Sequence, residues 1–335
     1  MPGTPRFESL LKDISYVFKT GRVPDSSESE IGGIREVILW GSRAIGAGYR
    51  VRKHLQSDYS IQPVTSADQE VQATGPTILY LNTKNFKGDF GQFRAMVSRN
   101  DNIRLLVVDP DGEHSRARNA YCIYTNYFLS PSDQDIDPAI SRMLVSLYRN
   151  MDYAVEEDGV RFPDGRVVKP YFRTSVLINY PRTRDILEGV LSSAVRKFNP
   201  DVLASREVSG RPPEDDVRMY ELAEPIARKL GLSAVKLTRK GSGYVAEHDL
   251  GGAHVLLLED VVGTGETKLA LVEALENAKG NVRACVVLLD RMEGAAAKLG
   301  ACGVELYSVA DMTVYQEMSR LPGAQPGDLT SERCS

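Results

Sequence analysis

The sequence predicts an α/β protein made of two successive units, each with a sheet of mostly parallel strands. Three observations predict this class. The chain has 335 residues, which is enough for two domains of ordinary size. Short apolar segments alternate with amphipathic segments of helical period, which is typical of parallel sheets covered by helices. The alternation stops near Asn150 and restarts after Asp152, which indicates a boundary between the units.

We therefore divide the chain into four segments. The first, 1–33, holds an amphipathic helix and a linker rich in Ser and Glu. A smaller α/β domain of unknown role is predicted at 34–150, and a larger one at 151–322. The tail, 323–335, is rich in Gly, Pro and Ser and is expected to fray.

The smaller domain has four strand candidates, at 36–40, 76–82, 103–109 and 122–129. Their alternation with helices resembles flavodoxin-like folds and the receiver domains of two-component systems. Gly41 and Ser42 stand where receivers carry metal-binding acids, and Asn82 ends the strand that carries their phosphoacceptor Asp. The resemblance implies a pseudo-receiver, and a plain packing or dimerisation module is the alternative.

Charge and composition argue against several classes of partner. The net charge is −4, and it is +1 up to Asn150 and −5 beyond it. Neither part has the broad positive charge of a protein that binds nucleic acid through phosphates, so no nucleic-acid partner is expected. No apolar run reaches the ~18 residues of a transmembrane helix, and the N-terminus does not resemble a secretory signal, so no membrane partner is expected.

The cysteines and histidines point to a cytoplasmic protein without a metal cage of its own. The four cysteines are scattered with no CxxC, which is typical of reduced thiols in the cytosol. The four histidines are not spaced as ligands of a zinc site.

In the larger domain the same reading gives five strands and five helices. Strands are expected at 201–205, 234–239, 254–260, 282–290 and 304–310. Helices are expected at 181–198, 215–231, 267–279, 293–300 and 311–320. A hairpin-like stretch at 159–179 precedes them, and a loop at 241–252 lies between two of the strands.

The segment 254–275 carries the chemistry. Its apolar strand ends in two acids, Glu259 and Asp260, and a Gly/Thr loop at 263–267 leads directly into a helix. Glycines let the backbone approach an anion, and the free N–H groups of a helix start favour a phosphate. The two acids suit the hydroxyls of a ribose or a hydrated Mg²⁺. The pattern therefore predicts a ligand with a phosphate and a nearby sugar diol.

At this point the sequence resembles the type I phosphoribosyltransferases, which bind phosphoribosyl pyrophosphate (PRPP). EDVVGTGET at 259–267 is similar to their PRPP signature. Four further stretches resemble orotate phosphoribosyltransferases: 162–187 their hood, 200–212 their pyrophosphate loop, 238–240 the Arg-Lys pair before their catalytic loop, and 286–294 their Leu-Asp-Arg-x-Glu-Gly stretch. The likeness covers about half of the chain. It implies a parallel sheet with helices on both faces, plus a small hood.

The resemblance also implies roles for individual residues. The expected PRPP-binding residues are Glu259, Asp260, Val261, Val262, Gly263, Thr264, Gly265, Glu266 and Thr267. The expected pyrophosphate loop comprises Ser205, Arg206, Glu207, Ser209 and Gly210. The expected catalytic residues are Arg239, Lys240 and Asp260. The expected base-binding residues are Arg291, Tyr171, Phe172 and Lys169, with Arg291 on the carboxylate of orotate.

The implied reaction is transfer of the 5-phosphoribosyl group of PRPP to orotate with release of pyrophosphate, a step of pyrimidine nucleotide biosynthesis. Mg²⁺ is the implied cofactor, bound through PRPP near Glu259 and Asp260. A homodimer is expected, in which the catalytic loop acts across the interface. That loop, 241–252, is short and lacks the further Lys and the His-Gly of the family. Two alternatives therefore stay open: a regulatory protein that binds PRPP or a nucleotide with little or no catalysis, and a phosphoribosyltransferase for another base.

Overall fold

A computed structural model of the chain describes residues 137–320, except 163–164, 208–218 and 242, and the backbone of five strands before them. The chain divides into two compact units, and the division falls between Met143 and Leu144. Several predictions lie outside the described residues, namely those on 1–33, Gly41, Ser42, Ser209, Gly210 and 323–335.

The first unit contains one five-stranded sheet. Its strands are β1 (Glu36–Trp40), β2 (Ser60–Val64), β3 (Thr77–Asn82), β4 (Ile103–Asp109) and β5 (Tyr121–Tyr124). The order is β2-β1-β3-β4-β5, with β5 as an antiparallel edge strand. The four predicted strands are present, although the last is shorter than expected. β2 escaped prediction because SIQPV contains a proline and no apolar alternation. The receiver resemblance stays a prediction.

The second unit is built on a six-stranded sheet. Its strands are β10 (Val202–Arg206), β11 (Ser233–Lys240), β12 (Gly243–Ala246), β13 (His254–Val262), β14 (Asn281–Asp290) and β15 (Glu305–Asp311), and four short strands given below precede them. The order is β12-β11-β10-β13-β14-β15, and all pairs are parallel except β11 with β12. This confirms the α/β class.

Seven helices are described in the chain. They are α1 (Asp137–Asn150), α2 (Thr174–Asn179), α3 (Pro181–Arg196), α4 (Tyr220–Leu230), α5 (Glu266–Asn277), α6 (Ala295–Ala301) and α7 (Met312–Arg320). The five helices predicted in the second unit are among them. Proline at the start of α3 suits a first helical turn, and Gly231 ends α4 in the left-handed conformation.

The central strands are buried on both faces. One face of the sheet packs against α5 and α6 through a cluster that includes Leu237, Leu257, Leu271 and Leu299. The intervening residues of β13, such as Leu256, are also buried, and α3 and α4 contact the same sheet. Parallel sheets need this two-sided cover, which explains the near-continuous apolar runs of β13 and β14. Each buried Leu adds about 1.5–3 kcal/mol to stability.

A small hood precedes the sheet. It consists of two antiparallel ladders, β6 (Val155–Glu156) with β9 (Tyr171–Phe172), and β7 (Val160–Arg161) with β8 (Val167–Val168). The Phe172 ring anchors the hood, because it makes edge-on contacts with Tyr148 and Tyr315 at centroid distances of 5.3 and 5.1 Å.

One element differs from expectation. The sequence predicts a loop at 241–252, but 243–246 form β12 and pair with the end of β11. The glycines in and before GYVA weaken the sequence pattern of a strand. These residues become a strand because they pair with β11. Within the described part of the chain, no helix combines the length and apolarity that crossing a membrane requires.

Candidate functional site

The carboxyl ends of β10, β13 and β14 meet at one edge of the sheet, which is where open α/β sheets bind ligands. A cavity of about 490 Å³ opens there between the sheet and the hood. Among the described residues it is lined by Phe162, Arg166, Val168, Tyr171, Phe172, Arg206, Asp260, Val261, Val262, Gly263, Thr264, Gly265, Glu266, Thr267, Lys268, Arg291 and Glu293. The sequence-predicted loop therefore forms one wall, and the hood forms the other.

The loop between β13 and α5 needs glycine at one position, and at a second glycine an added Cβ would meet only the movable end of a side chain. Gly265 is the N-cap of α5 with φ +87°, and a Cβ there would lie 3.1 Å from Cα of Ala295. A Cβ on Gly263 would lie 2.5 Å from Oε2 of Glu293. No side chain of the described residues caps the start of α5. Its first N–H groups therefore have no side-chain acceptor there and can serve as donors to an anion.

Glu266 is the one acid in the first turn of α5. Its carboxylate pairs with the Lys298 ammonium and accepts a hydrogen bond from the Thr264 hydroxyl. These two hydrogen bonds, the one from Lys298 foremost, hold the pKa of Glu266 below its ordinary value. Thr264 thus has its hydroxyl proton directed at Glu266 and not into the cavity.

Glu259 and Asp260 are embedded in a four-residue ion cluster with Arg206 and Lys268. Nζ of Lys268 lies 2.9 Å from Oε2 of Glu259 and 3.6 Å from Oδ1 of Asp260. Nε of Arg206 lies 2.8 Å from the same Glu259 oxygen, and its Nη2 lies 3.5 Å from Oδ1 of Asp260. Glu259 is fully buried, whereas Asp260 reaches the cavity wall.

The opposite charges of the cluster keep both the Asp260 carboxylate and the Arg206 guanidinium ionised. Burial alone would raise the pKa of Asp260, but Lys268 and Arg206 outweigh it and lower that pKa. Burial alone would lower the pKa of Arg206, but Glu259 and Asp260 outweigh it and raise that pKa. Asp260 is therefore an ionised acceptor at the cavity wall, which suits sugar hydroxyls.

On the hood side Arg291 is already engaged by protein groups. Its Nε donates to Oε1 of Glu293 at 2.8 Å, and its Nη2 lies 2.8 Å from the same oxygen. Nη1 donates to the carbonyl of Pro170, and Nη2 lies 3.4 Å from the carbonyl of Lys169. A carboxylate that enters the cavity must therefore compete with Glu293 for this guanidinium.

Aromatic rings form much of the hood wall. Phe162 and Tyr171 meet edge-on at 5.9 Å, and the Arg166 guanidinium lies 5.4 Å from the centroid of Phe162. Phe172 also borders the cavity, but only 4% of it is exposed and its ring is the anchor of the hood. Tyr171 is thus the more accessible of the two predicted aromatic base contacts.

Other predicted site residues lie outside this lining. Arg239 and Lys240 are exposed on β11, opposite Tyr244 and Gly243 of β12. The Lys169 ammonium is 3.4 Å from Asp158 at the hood surface.

Of the described residues of the predicted pyrophosphate loop, which are Ser205, Arg206 and Glu207, only Arg206 lines the cavity. Ser205 is a buried strand residue, and Glu207 pairs with Lys236 at 3.3 Å.

Sequence reasoning missed five residues of the described cavity lining, namely Phe162, Arg166, Val168, Lys268 and Glu293. Lys268 follows the loop on α5 and is buried under the acid pair, although a lysine in a helical pattern usually indicates an exposed face. Its place in the first turn, on the face that meets β13, was the available signal. Glu293 stands two residues after Arg291, and only the bend between them brings the two side chains together.

Comparison with known proteins decides the family. A family model described as "Phosphoribosyl transferase domain" matches residues 214–304. The chain is 34% identical over 152 residues to the orotate phosphoribosyltransferase of Sulfolobus acidocaldarius, an alignment that covers 43% of this chain and 71% of that protein. The chain belongs to the phosphoribosyltransferase family. The family predicted from residues 259–267 is thereby confirmed.

Two further proteins similar to this phosphoribosyltransferase are also named orotate phosphoribosyltransferases. An orotate phosphoribosyltransferase of Sulfurisphaera tokodaii is 40% identical over 80 residues, which cover 23% of this chain and 41% of that protein. The crystal structure of orotate phosphoribosyltransferase from Aeropyrum pernix matches with 21% identity and a TM-score of 0.43, and covers 53% of this chain and 98% of that one. The family supports a transferase, with its candidate site in the cavity.

Proposed function

We propose that the second unit binds PRPP and transfers its phosphoribosyl group to orotate, with release of pyrophosphate. The observation that carries the proposal is the shared cavity: the uncapped start of α5, the ionised Asp260 and the hood all line it. The names of the curated relatives support orotate as the base.

We assign each part of PRPP, and the base, to a different part of the cavity lining. The backbone of 263–267 binds the 5′-phosphate, and Asp260 accepts hydrogen bonds from the ribose hydroxyls. The base lies beneath the hood, against Tyr171, with its carboxylate directed to Arg291. The loop 263–267 and Asp260 thus hold the ribose at two points. Because Asp260 is ionised, it also stabilises the positive charge that develops on the anomeric carbon in the transition state.

We propose that Mg²⁺ binds together with PRPP and not to the protein alone. Among the described residues, no group of three or more His, Cys, Asp or Glu side chains is arranged to hold a metal ion. The carboxylates of Glu259 and Asp260 already face Lys268 and Arg206. These residues do not fit Mg²⁺ as direct ligands, so we assign the ion to the diphosphate of the substrate.

The test is pyrophosphate release by the full chain with PRPP, Mg²⁺ and orotate, together with the loss of orotate absorbance. We expect turnover that falls by about 10²-fold or more in Asp260→Asn, because the ribose loses a charged acceptor. Glu224→Gln is the matched control, since Glu224 pairs with Arg228 on the exposed face of α4. Turnover that is unchanged in Asp260→Asn would contradict the assigned role of Asp260.

A second function, PRPP binding without turnover, is favoured by one observation. Arg239 and Lys240 lie exposed on the β11–β12 hairpin, outside the lining of the cavity. In the enzyme proposal a second copy of the chain must supply these cations across a dimer interface. In the regulatory proposal they have no such role, and the first unit passes the signal of PRPP binding. PRPP that raises the melting temperature with no pyrophosphate release would select this second function.

The Arg291–Glu293 pair gives a prediction about the base. Glu293→Gln should lower KM for orotate about fivefold and leave KM for PRPP unchanged, because a neutral amide holds Arg291 about 1 kcal/mol less strongly than a carboxylate. Initial rates at varied orotate measure this. Asp158→Asn, which removes the acid of an exposed ion pair on the hood, should change neither constant. A higher KM for orotate in Glu293→Gln would show that Glu293 orients Arg291 rather than competing for it.

A further inference from the structure

Every nitrogen of the Arg291 guanidinium already has an acceptor within the protein. Nε donates to Oε1 of Glu293, and Nη1 donates to the carbonyl of Pro170. Nη2 lies 2.8 Å from the same Glu293 oxygen and 3.4 Å from the carbonyl of Lys169. Only 10% of the Arg291 side chain is exposed. The positive charge of Arg291 is therefore largely neutralised within the wall of the cavity.

Glu293 is the more accessible member of this ion pair. Its side chain is 38% exposed, and the residue lines the cavity. Both contacts from Arg291 end on Oε1. Among the described residues, none donates a hydrogen bond to Oε2, which lies beside Gly263 at the start of the Gly/Thr loop. The accessible charge of this part of the wall is therefore a carboxylate, and one of its two oxygens is open to a donor.

The neighbouring part of the wall places few demands on the base. The rings of Phe162 and Tyr171 border the cavity, and the Arg166 guanidinium lies over Phe162. Aromatic side chains bind planar heterocycles by stacking, which tolerates different substituents on the ring. The substituent that reaches the ion pair of Arg291 and Glu293 therefore determines which of these heterocycles binds best.

We propose that Glu293 makes the base position accept a ring with an amino group where orotate has its carboxylate. The inference rests on the proposed function, and it names a second class of base for the same site. An amino group can donate an N–H to Oε2 and displaces no protein contact, and hydrogen bonds to a charged acceptor are the stronger ones. The carboxylate of orotate, in contrast, must separate Arg291 from Glu293 and is repelled by Glu293.

The experiment compares three uracils that differ only in the substituent at one ring position: orotate, 6-aminouracil and 6-methyluracil. Each is titrated calorimetrically into the full chain saturated with ribose 5-phosphate, which carries no diphosphate and so prevents turnover. We expect the wild type to bind 6-aminouracil about fivefold or more tightly than 6-methyluracil, because only the amino group donates to the carboxylate.

Two variants assign this preference to Glu293. In Glu293→Gln the preference for 6-aminouracil over 6-methyluracil should fall by about threefold or more, because the acceptor is no longer charged. The affinity for ribose 5-phosphate should stay unchanged. Glu273→Gln is the matched control, because Glu273 is an exposed acid of α5 outside the cavity lining.

The outcomes are distinct. Equal affinities of the wild type for 6-aminouracil and 6-methyluracil, or no binding of 6-aminouracil, overturn the inference. A preference that persists in Glu293→Gln overturns it as well, because another group would then recognise the amino group. Orotate that binds where 6-aminouracil does not overturns the inference and leaves the proposed function intact. Wild-type protein that does not bind ribose 5-phosphate refutes the proposed function itself, and the same comparison of bases without the sugar phosphate then decides the inference.

Discussion

Lys268→Met should lower the free energy of unfolding of the phosphoribosyltransferase unit by about 3–5 kcal/mol, which is the usual cost of removing one partner from a buried ion pair. Glu259 is fully buried, and the variant leaves it with Arg206 alone. The effect should be seen in urea titrations of the full chain, followed by hydrogen exchange of the peptides that cover 254–290.

Two further variants test whether burial of the ion pair causes this loss of stability. Lys298→Met removes the same side chain from an exposed pair with Glu266, and should cost at most about 1 kcal/mol. Adding Glu259→Gln to Lys268→Met should recover much of the loss, because the buried carboxylate is no longer charged. Equal losses of unfolding free energy in Lys268→Met and Lys298→Met would show that the buried Lys268 pair contributes no more to stability than the exposed Lys298 pair.

Gly265→Ala should weaken PRPP binding by about 10²-fold. The substitution puts a side chain into a left-handed backbone conformation, which costs roughly 1–2 kcal/mol, and presses its Cβ against Ala295. The loop must then shift, and displacements of about 1 Å in a binding site can cost 10²-fold. Calorimetric titration with PRPP measures the change.

The control for Gly265 lies at the end of α4. Gly231 has a similar φ of +73°, but a Cβ there would meet no atom within 4 Å, and Gly231 is outside the cavity. Gly231→Ala should therefore lower stability through the same backbone strain and leave PRPP affinity unchanged. A similar loss of affinity in both variants would mean that stability, and not the shape of the loop, determines PRPP binding.

Much of the second unit could be predicted because its elements have strong local patterns. The apolar run of β13 and the amphipathic period of α5 place both elements within two residues of their observed ends. The loop between them carries its own chemistry in Gly and Thr. β12 is the contrary case: its four residues lie among glycines, and only pairing with β11 makes them a strand.

The chain's own sequence thus determined the phosphoribosyltransferase family, the order of the five predicted strands and five predicted helices in the second unit, and the place of the Gly/Thr loop. These follow from residue periods and a contiguous motif. Only the tertiary structure decided which charges meet. Arg206 and Glu259 are 53 positions apart in the chain, and Glu293 faces a loop thirty positions before it. Parallel strands bring such residues to one edge of a sheet, and no local pattern encodes that proximity.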